Sequence, residues 1–245
     1  MIKKFMAEFA GTAIIVLLGC GTFMAFQING DLSGGARVGI AAGFGVAAMV
    51  ATYAFASISG AHVNPAVSFA KAMNKEISWK EFGIYSGAQV AGAFFGSFLL
   101  AMVMWAWGTG IAGQPNIYHL AHIVAKHGET GFMTIMLSTM CEMGITFIFV
   151  LCVLAVTNKK ELSHLSGLII GLALFGAVVV GLPLTGPSVN PARGLSSLIF
   201  SMFDGNDVGY KALTLIPAIV GPFMGAFAAA SAYKGFFGKK EEKAE

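Results

Sequence analysis

Two tripeptides carry side chains that could handle a polar solute in an otherwise apolar chain. They are Asn64-Pro65-Ala66 and Asn190-Pro191-Ala192, each at the end of a matching octapeptide, SGAHVNPA and TGPSVNPA. Asparagine is a favoured N-cap residue and proline a favoured first helical residue, so each Asn-Pro predicts the start of a helix. The asparagine amides could hold the oxygen of a passing molecule. The positive ends of two facing helices would repel cations and hydronium.

The residues in front of each asparagine predict non-helical backbone. Those that could turn carbonyl oxygens toward a solute are Gly60, Ala61, His62, Gly186 and Ser188. Non-helical backbone at membrane depth is tolerated where it is buried or lines a watery cavity. Carbonyl acceptors on either side of amide donors suit small uncharged hydroxyl compounds and oppose ions.

Ionisable residues inside apolar segments are further candidates. Arg193 directly follows the second tripeptide, and we interpret it as the only basic residue inside an apolar segment. The matching position of the first repeat is Val67, so the symmetry breaks there. Glu8 and Glu142 are the carboxylates well inside apolar segments. Charges near membrane depth are costly and are functional candidates by default, so a proton relay stays open beside a structural role for the glutamates.

The elements that position these residues must lie in a bilayer, because the composition cannot cover a soluble surface. Of 245 residues, 56% are hydrophobic and 11% charged, with a mean hydropathy of +0.76. Soluble domains are about 25% charged. This excludes a nucleic-acid binder, a disordered regulator and nearly every soluble enzyme. Charge-poor windows predict six transmembrane helices, near residues 6–28, 39–58, 82–107, 132–156, 163–183 and 211–233.

The repeated tripeptides divide a single transmembrane domain (1–245) into two halves, at about 1–107 and 132–235. Each half contains three spans, an odd number, so the halves cross the membrane in opposite directions and form an inverted repeat. The apolar stretch after each tripeptide covers about ten residues, or about 15 Å, half of a 30 Å hydrocarbon core. Both stretches are therefore predicted to be re-entrant half-helices. Lysines in the connections, Lys71 among them, concentrate on the side of the termini, which predicts that both termini are cytoplasmic.

Other motifs have simpler interpretations. Cys20, Cys141 and Cys152 lack paired spacing and neighbouring histidines, so we expect helix packing and no disulfide or metal site. The loop histidines His119, His122 and His127 leave a metal or pH sensor open beside an ordinary exposed loop. G-x-x-x-G occurs at Gly92/Gly96, Gly167/Gly171 and Gly221/Gly225, which predicts close helix packing.

The doubled motif resembles that of the aquaporin and aquaglyceroporin family over essentially the full chain, in the manner of a bacterial glycerol-facilitator-like member. The resemblance implies an all-α membrane protein of six transmembrane helices and two re-entrant half-helices, assembled as a homotetramer with one pore per monomer. It places Arg193 in a narrow outer filter, and family spacing adds Phe44, Val178 and Pro187; these four residues are called the filter cluster below. The resemblance makes Glu8 and Glu142 buried acceptors for the loops that hold the half-helices. It makes His62 a brace for the first loop.

The filter cluster departs from both patterns common in the family. Water-selective members typically carry histidine at the position of Val178. Glycerol facilitators typically carry Trp, Gly and Phe where this chain has Phe44, Val178 and Pro187, and Asp where it has Gly194. One polar corner and three apolar walls favour a passive channel for glycerol and similar polyols, with undissociated lactic acid and water as further solutes.

The expected partners are therefore small neutral solutes, water and the lipid bilayer, in a cell membrane crossed several times. We expect no cofactor, no catalytic residue and no nucleic-acid partner. A water-selective aquaporin is the alternative of the same class. An ion-coupled secondary transporter is the alternative of another class, because such transporters also use inverted repeats and broken helices.

Overall fold

The computed structural model describes residues 1–28, 33–106, 132–204 and 208–237, and all regular structure in these ranges is helical. The helices and turns are, in chain order, α1 (Ile2–Ile14), a π-helical turn (Ile15–Cys20), α2 (Gly21–Ile28), α3 (Gly34–Ser59), α4 (Pro65–Met73), α5 (Trp79–Ala106), α6 (Phe132–Thr157), a 3₁₀ turn (Lys160–Leu165), α7 (Ser166–Gly181), α8 (Pro191–Ser201), a 3₁₀ turn (Met202–Asp204) and α9 (Val208–Phe237). Within these described ranges, six helices are long and apolar enough to cross a membrane, α1 with α2 counting as one. The six predicted spans are confirmed.

Two helices are too short to cross, as predicted for the segments after the tripeptides. The first half-helix, α4, has 9 residues and the second, α8, has 11. They extend about 14 and 17 Å, roughly half of the hydrocarbon core. Each begins at the proline, with the preceding asparagine as N-cap in extended backbone conformation. The Asn-Pro capping sequences therefore determine where both half-helices begin.

The two halves interlock through the half-helices. Within each half, the first long helix packs along the third, α1 on α5 and α6 on α9. Between the halves, α3 packs on α7, α4 packs on α9, and α8 packs on α5. Each half-helix is thus held by the third long helix of the opposite half. The N-termini of both half-helices meet inside the bundle.

Glycines bring the long helices close enough to touch along their backbones. A Cβ built on Gly92 of α5 would lie 2.9 Å from the carbonyl carbon of Phe9 on α1. One built on Gly221 of α9 would lie 2.9 Å from the carbonyl oxygen of Thr139 on α6. Since no real Cβ comes within 3.0 Å of such atoms, these positions need glycine. The close packing predicted from the G-x-x-x-G pairs is confirmed.

Lys71 contradicts the interpretation of Arg193 as the only basic residue inside an apolar segment. Lys71 lies in the last turn of α4 and is 7% exposed. Its Nζ donates to Glu76 Oε2 at 2.6 Å and to Thr157 Oγ1 at 3.0 Å. A lysine in this position complements the negative end of the half-helix. That interpretation was wrong because it assigned Lys71 to a loop.

Candidate functional site

The loops in front of the half-helices have strained backbone. Before the first tripeptide, Gly60, Ala61 and Val63 have φ of 88°, 45° and 45°; before the second, Gly186 and Val189 have φ of 61° and 55°. Glycine adopts this left-handed region freely, whereas a β-branched valine does so rarely. Each strained residue costs about 1–3 kcal/mol, so the surroundings must hold it in place.

Glu8 holds the first loop. Its carboxylate accepts from Ser59 Oγ at 2.6 Å, His62 N at 3.0 Å and Val63 N at 2.6 Å. Gln89 Nε2 donates to the same carboxylate at 2.7 Å. The Glu8 side chain is 0% exposed. Both oxygens therefore act as acceptors, and two of their partners are the N–H groups of the strained segment.

Glu142 holds the second loop in the same way. It accepts from Thr185 Oγ1 at 2.7 Å, from Ser188 N at 3.0 Å and from Val189 N at 3.2 Å. It is also 0% exposed. The two glutamates thus sit at matching positions of the inverted halves. Each side chain anchors the valine that precedes a capping asparagine.

The polar surroundings of the two glutamates differ. In the first half, Gln89 Nε2 also donates to Ser68 Oγ at 2.9 Å, and Ser68 Oγ lies 3.1 Å from His62 Nδ1. In the second half, Gly194 occupies the position that matches Ser68. A Cβ there would collide with Ser188 Oγ and lie 3.3 Å from the Cβ of Ala218. An aspartate at this position would need Ser188 to move, which is a physical reason for the glycine.

The two capping asparagines tie the halves together. Asn64 Oδ1 accepts from Ala66 N at 2.8 Å, and Asn190 Oδ1 accepts from Ala192 N at 3.1 Å. Asn64 Nδ2 donates to Val189 O at 3.0 Å. Asn190 Nδ2 donates to Val63 O at 2.8 Å. Each amide nitrogen has two N–H groups, so one per asparagine is left for a solute.

Arg193 lies in the first turn of the second half-helix and is 4% exposed. Its Nη1 donates to Pro187 O at 3.1 Å and its Nε to Cys20 Sγ at 3.4 Å. The guanidinium carbon lies 5.0 Å from the centre of the Phe44 ring, within the range of cation–π attraction. Of the five guanidinium N–H groups, these bonds use two. Among the described residues Arg193 forms no contact ion pair with a carboxylate.

A cavity of about 30 Å³ brings these groups together. The sequence-predicted residues on its wall are Phe44, Ala61, His62, Asn64, Val178, Pro187, Ser188, Asn190 and Arg193. The whole filter cluster is therefore present at one site. The tripeptide prolines and alanines lie behind the asparagines in the buried half-helix starts. Gly60 and Gly186 are not among the described residues that line this wall.

Ten further residues lie on the wall, and of these only Val67 was singled out in the sequence, as the counterpart of Arg193. They are Ile15, Ala48, Thr52, Val63, Val67, Phe149, Val153, Ile170, Leu174 and Val189. Most of them are apolar residues inside apolar spans, which carry no pattern that separates a cavity wall from an ordinary core. Gln89 could have been found, because an uncharged polar side chain inside the third span needs a buried partner. The predicted interpretation of Cys20 as a packing residue missed its contact with Arg193. His119, His122 and His127 lie outside the described residues.

Comparisons with known proteins all indicate the same protein family. The family model of the major intrinsic proteins matches residues 1–233. The chain is 33% identical over 230 residues to glycerol uptake facilitator protein-like 6 of Lactiplantibacillus plantarum, covering 93% of this chain and 96% of that protein. It is 31% identical over 254 residues to a propanediol uptake facilitator of Citrobacter freundii, covering 95% and 91%.

A solved structure has the same fold. The aquaglyceroporin from Plasmodium falciparum superposes with a TM-score of 0.71 at 24% identity, covering 96% of each chain. The shared fold and the full-length family match agree with the inverted halves, the half-helices and the paired asparagines described above. The chain belongs to the major intrinsic protein family, that of the aquaporins and aquaglyceroporins that its sequence resembles.

Proposed function

We propose that this protein is a passive channel for glycerol and similar small polyols, and for water, across a cell membrane. The chain matches relatives named as facilitators of glycerol and propanediol uptake along nearly their full length. The observation that carries the proposal is the filter cluster. Arg193 supplies its polar corner, and Phe44, Val178 and Pro187 supply its apolar walls around one cavity.

This arrangement fits a polyol because such a solute has two kinds of edge. Three free N–H groups of Arg193 offer donors to hydroxyl oxygens. The carbon edge of the solute lies against Phe44 and Val178, so that the apolar surfaces of the solute and of the cavity wall are both removed from water. Further along, one N–H each of Asn64 and Asn190 takes over as donor. Undissociated lactic acid has the same combination of edges and is a further proposed solute.

The same site opposes ions. The positive charge of Arg193 has no carboxylate partner among the described residues, and two half-helix N-termini add positive potential at the asparagines. The cavity wall bears no carboxylate in the described chain. The carboxylates of Glu8 and Glu142 instead accept hydrogen bonds from backbone N–H groups of the loops. A coupled transporter would need such a carboxylate on the pathway, so passive permeation is the proposed mode.

A water-selective pore is the second candidate, favoured by the small volume of the cavity. A volume of about 30 Å³ holds two or three water molecules at about 10–15 Å³ each. The tetramer, with one pore per monomer, and the cytoplasmic location of both termini belong to the same proposal.

Stopped-flow light scattering on proteoliposomes tests the proposal, with wild type and Val178→His compared in gradients of glycerol, lactic acid and an impermeant osmolyte. Histidine adds volume and a second polar corner, so we expect glycerol flux to fall about tenfold or more, a barrier increase of about 1.4 kcal/mol, while water flux stays within about threefold. Val179→His is the matched control, because Val179 is 36% exposed on the outside of the same helix.

Two outcomes would overturn the proposal. Wild-type vesicles that pass water but no glycerol above empty vesicles would establish the water-selective alternative. Solute flux that responds to an imposed ion gradient would establish the coupled transporter.

A further inference from the structure

Burial along the first long helix repeats every four residues. The buried pairs are Ala7/Glu8, Gly11/Thr12, Ile15/Val16, Gly19/Cys20 and Phe23/Met24. An α-helix turns about 100° per residue, so a four-residue repeat drifts by about 40° each time and by about 160° over four repeats. A π-helical turn inserts one residue and removes about 100° of that drift. The turn at Ile15–Cys20 thus keeps Gly19 and Cys20 on the face that looks into the bundle.

The Phe44 ring packs against the first long helix at Gly19. A Cβ built on Gly19 would lie 2.5 Å from Phe44 Cε1 and 2.9 Å from Cγ, closer than real Cβ atoms approach. The three nearest neighbours of that Cβ all belong to the Phe44 side chain. The packing glycines Gly92 and Gly225 differ, because their nearest neighbours are backbone atoms of another helix. Gly19 therefore makes room for a filter side chain.

The next residue of the turn contacts the other side of the filter. Cys20 is fully buried, and its Sγ accepts a hydrogen bond from Arg193 Nε at 3.4 Å. The same Sγ lies 3.8 Å from Ser197 Oγ on the second half-helix. Arg193 in turn lies over the Phe44 ring. Two adjacent residues of one π-helical turn therefore touch two of the four filter side chains.

We propose that the π-helical turn Ile15–Cys20 sets the clearance of the filter, with Gly19 and Cys20 as positioning residues for Phe44 and Arg193. The absence of a side chain at Gly19 lets the Phe44 ring lie back against the first helix. The sulfur of Cys20 holds Nε, so that the remaining guanidinium N–H groups face the solute. The inference rests on the proposed channel function, because clearance is expressed as a preference between polyols and water.

Gly19→Ala tests the Phe44 contact. The methyl group drives the ring away from the first helix toward the cavity and so narrows the filter. We expect glycerol flux to fall about tenfold or more and water flux to fall less. Gly21→Ala is the matched control, because its Cβ meets only Leu100 Cδ2, at an ordinary 3.4 Å.

A compensating change separates clearance from general damage. Phe44→Leu removes the ring that the methyl group strikes, so Gly19→Ala should cost less glycerol flux in the Phe44→Leu background than in wild type. Independent effects of the two substitutions, which multiply without coupling, would overturn the inference. So would a Gly19→Ala protein with the flux of Gly21→Ala.

Cys20→Ala tests the Arg193 contact and carries the test if Gly19→Ala does not fold. We expect it to shift the ratio of glycerol to water flux at least threefold, with Cys20→Ser lying closer to wild type because serine retains an acceptor. Cys152→Ala is the control cysteine, away from the cavity wall. An unchanged ratio in Cys20→Ala would overturn this part. Wild-type vesicles without glycerol flux would instead overturn the proposed function and leave the contacts of the turn as they stand.

Discussion

At the scale of single residues, the two buried glutamates have the clearest task. Each carboxylate accepts backbone N–H groups from a loop that includes a valine with positive φ. Such a valine is rare because its branched side chain crowds the backbone in the left-handed region. The hydrogen bonds to Glu8 and Glu142 hold these loops in place. The capping asparagines follow directly, so the geometry of the cavity depends on both anchors.

Glu142→Gln should destabilise the protein by about 1–3 kcal/mol. The amide offers one oxygen where the carboxylate offers two, so its NH₂ group faces the Val189 or Ser188 N–H, and a buried unpaired donor costs about 1–3 kcal/mol. Unfolding in a titration with sodium dodecyl sulfate, followed by circular dichroism, measures the change. Glu161→Gln, on an exposed residue of the 3₁₀ turn, is the control and should lie within about 0.5 kcal/mol of wild type. Equal stabilities would contradict the anchoring role.

At the scale of elements, backbone contact between long helices holds the bundle together. Lipid tails are as apolar as the helices, so association depends on close packing more than on burial. Gly92 on α5 lies against the backbone at Phe9 of α1, and Gly225 on α9 lies against the backbone of Phe147 on α6. The two halves therefore use the same device at matching helix pairs. Because α1 and α6 carry the two glutamates, this packing also positions the loops.

Gly92→Ala should separate α1 from α5 and destabilise the protein by about 1–3 kcal/mol, as overpacking does. Gly87→Ala on the same helix is the matched control, because nothing lies within 4 Å of its Cβ. That control should be neutral or stabilising by up to about 1 kcal/mol, since alanine favours a helix more than glycine does. The same detergent titration measures both variants. A Gly92→Ala protein as stable as Gly87→Ala would show that the contact relaxes without cost.

At the scale of the whole molecule, the central barrier exists only because the two halves meet. Asn64 donates to the loop of the second half and Asn190 to the loop of the first. Two helix N-termini, each with about half a positive charge, then lie beside the same cavity. Neither half alone would place a positive potential on both sides of a solute.

Asn64→Asp should weaken that barrier to cations. Aspartate keeps the capping oxygen for Ala66 N, but it loses the donor to Val189 O and adds a negative charge that cancels the helix-end potential. We expect sodium or proton leak into dye-loaded vesicles to rise about tenfold or more, for about 1.4 kcal/mol of barrier. Asn74→Asp adds the same charge at the far end of α4 and should leave the leak unchanged. Equal leaks in the two variants would place the barrier elsewhere.

Much of the architecture follows from local sequence. The six spans follow from charge-poor windows, and the starts of α4 and α8 follow from Asn-Pro caps. Lys71 was misplaced because a basic residue in a half-helix looks like a loop residue when its partners are unknown. One partner, Glu76, lies five residues away, but the other, Thr157, lies 86 residues away along the chain. The composition indicates that the chain lies in a membrane, but it does not indicate which side chains contact each other.

The sequence by itself determined the bilayer, the inverted halves, the half-helices and the residues at their starts, because hydropathy, capping and repeat length act over a few consecutive residues. The resemblance grouped the filter cluster, but only the tertiary structure decided which other side chains share the cavity. Cys20 and Arg193 meet across 173 residues, and Asn64 and Val189 across 125. The four-residue burial period that goes with the π-helical turn likewise becomes visible only in the folded chain, where the burial of each residue is known. Contacts of this kind depend on how every helix packs at once, because no local propensity specifies the rotation of one helix against another.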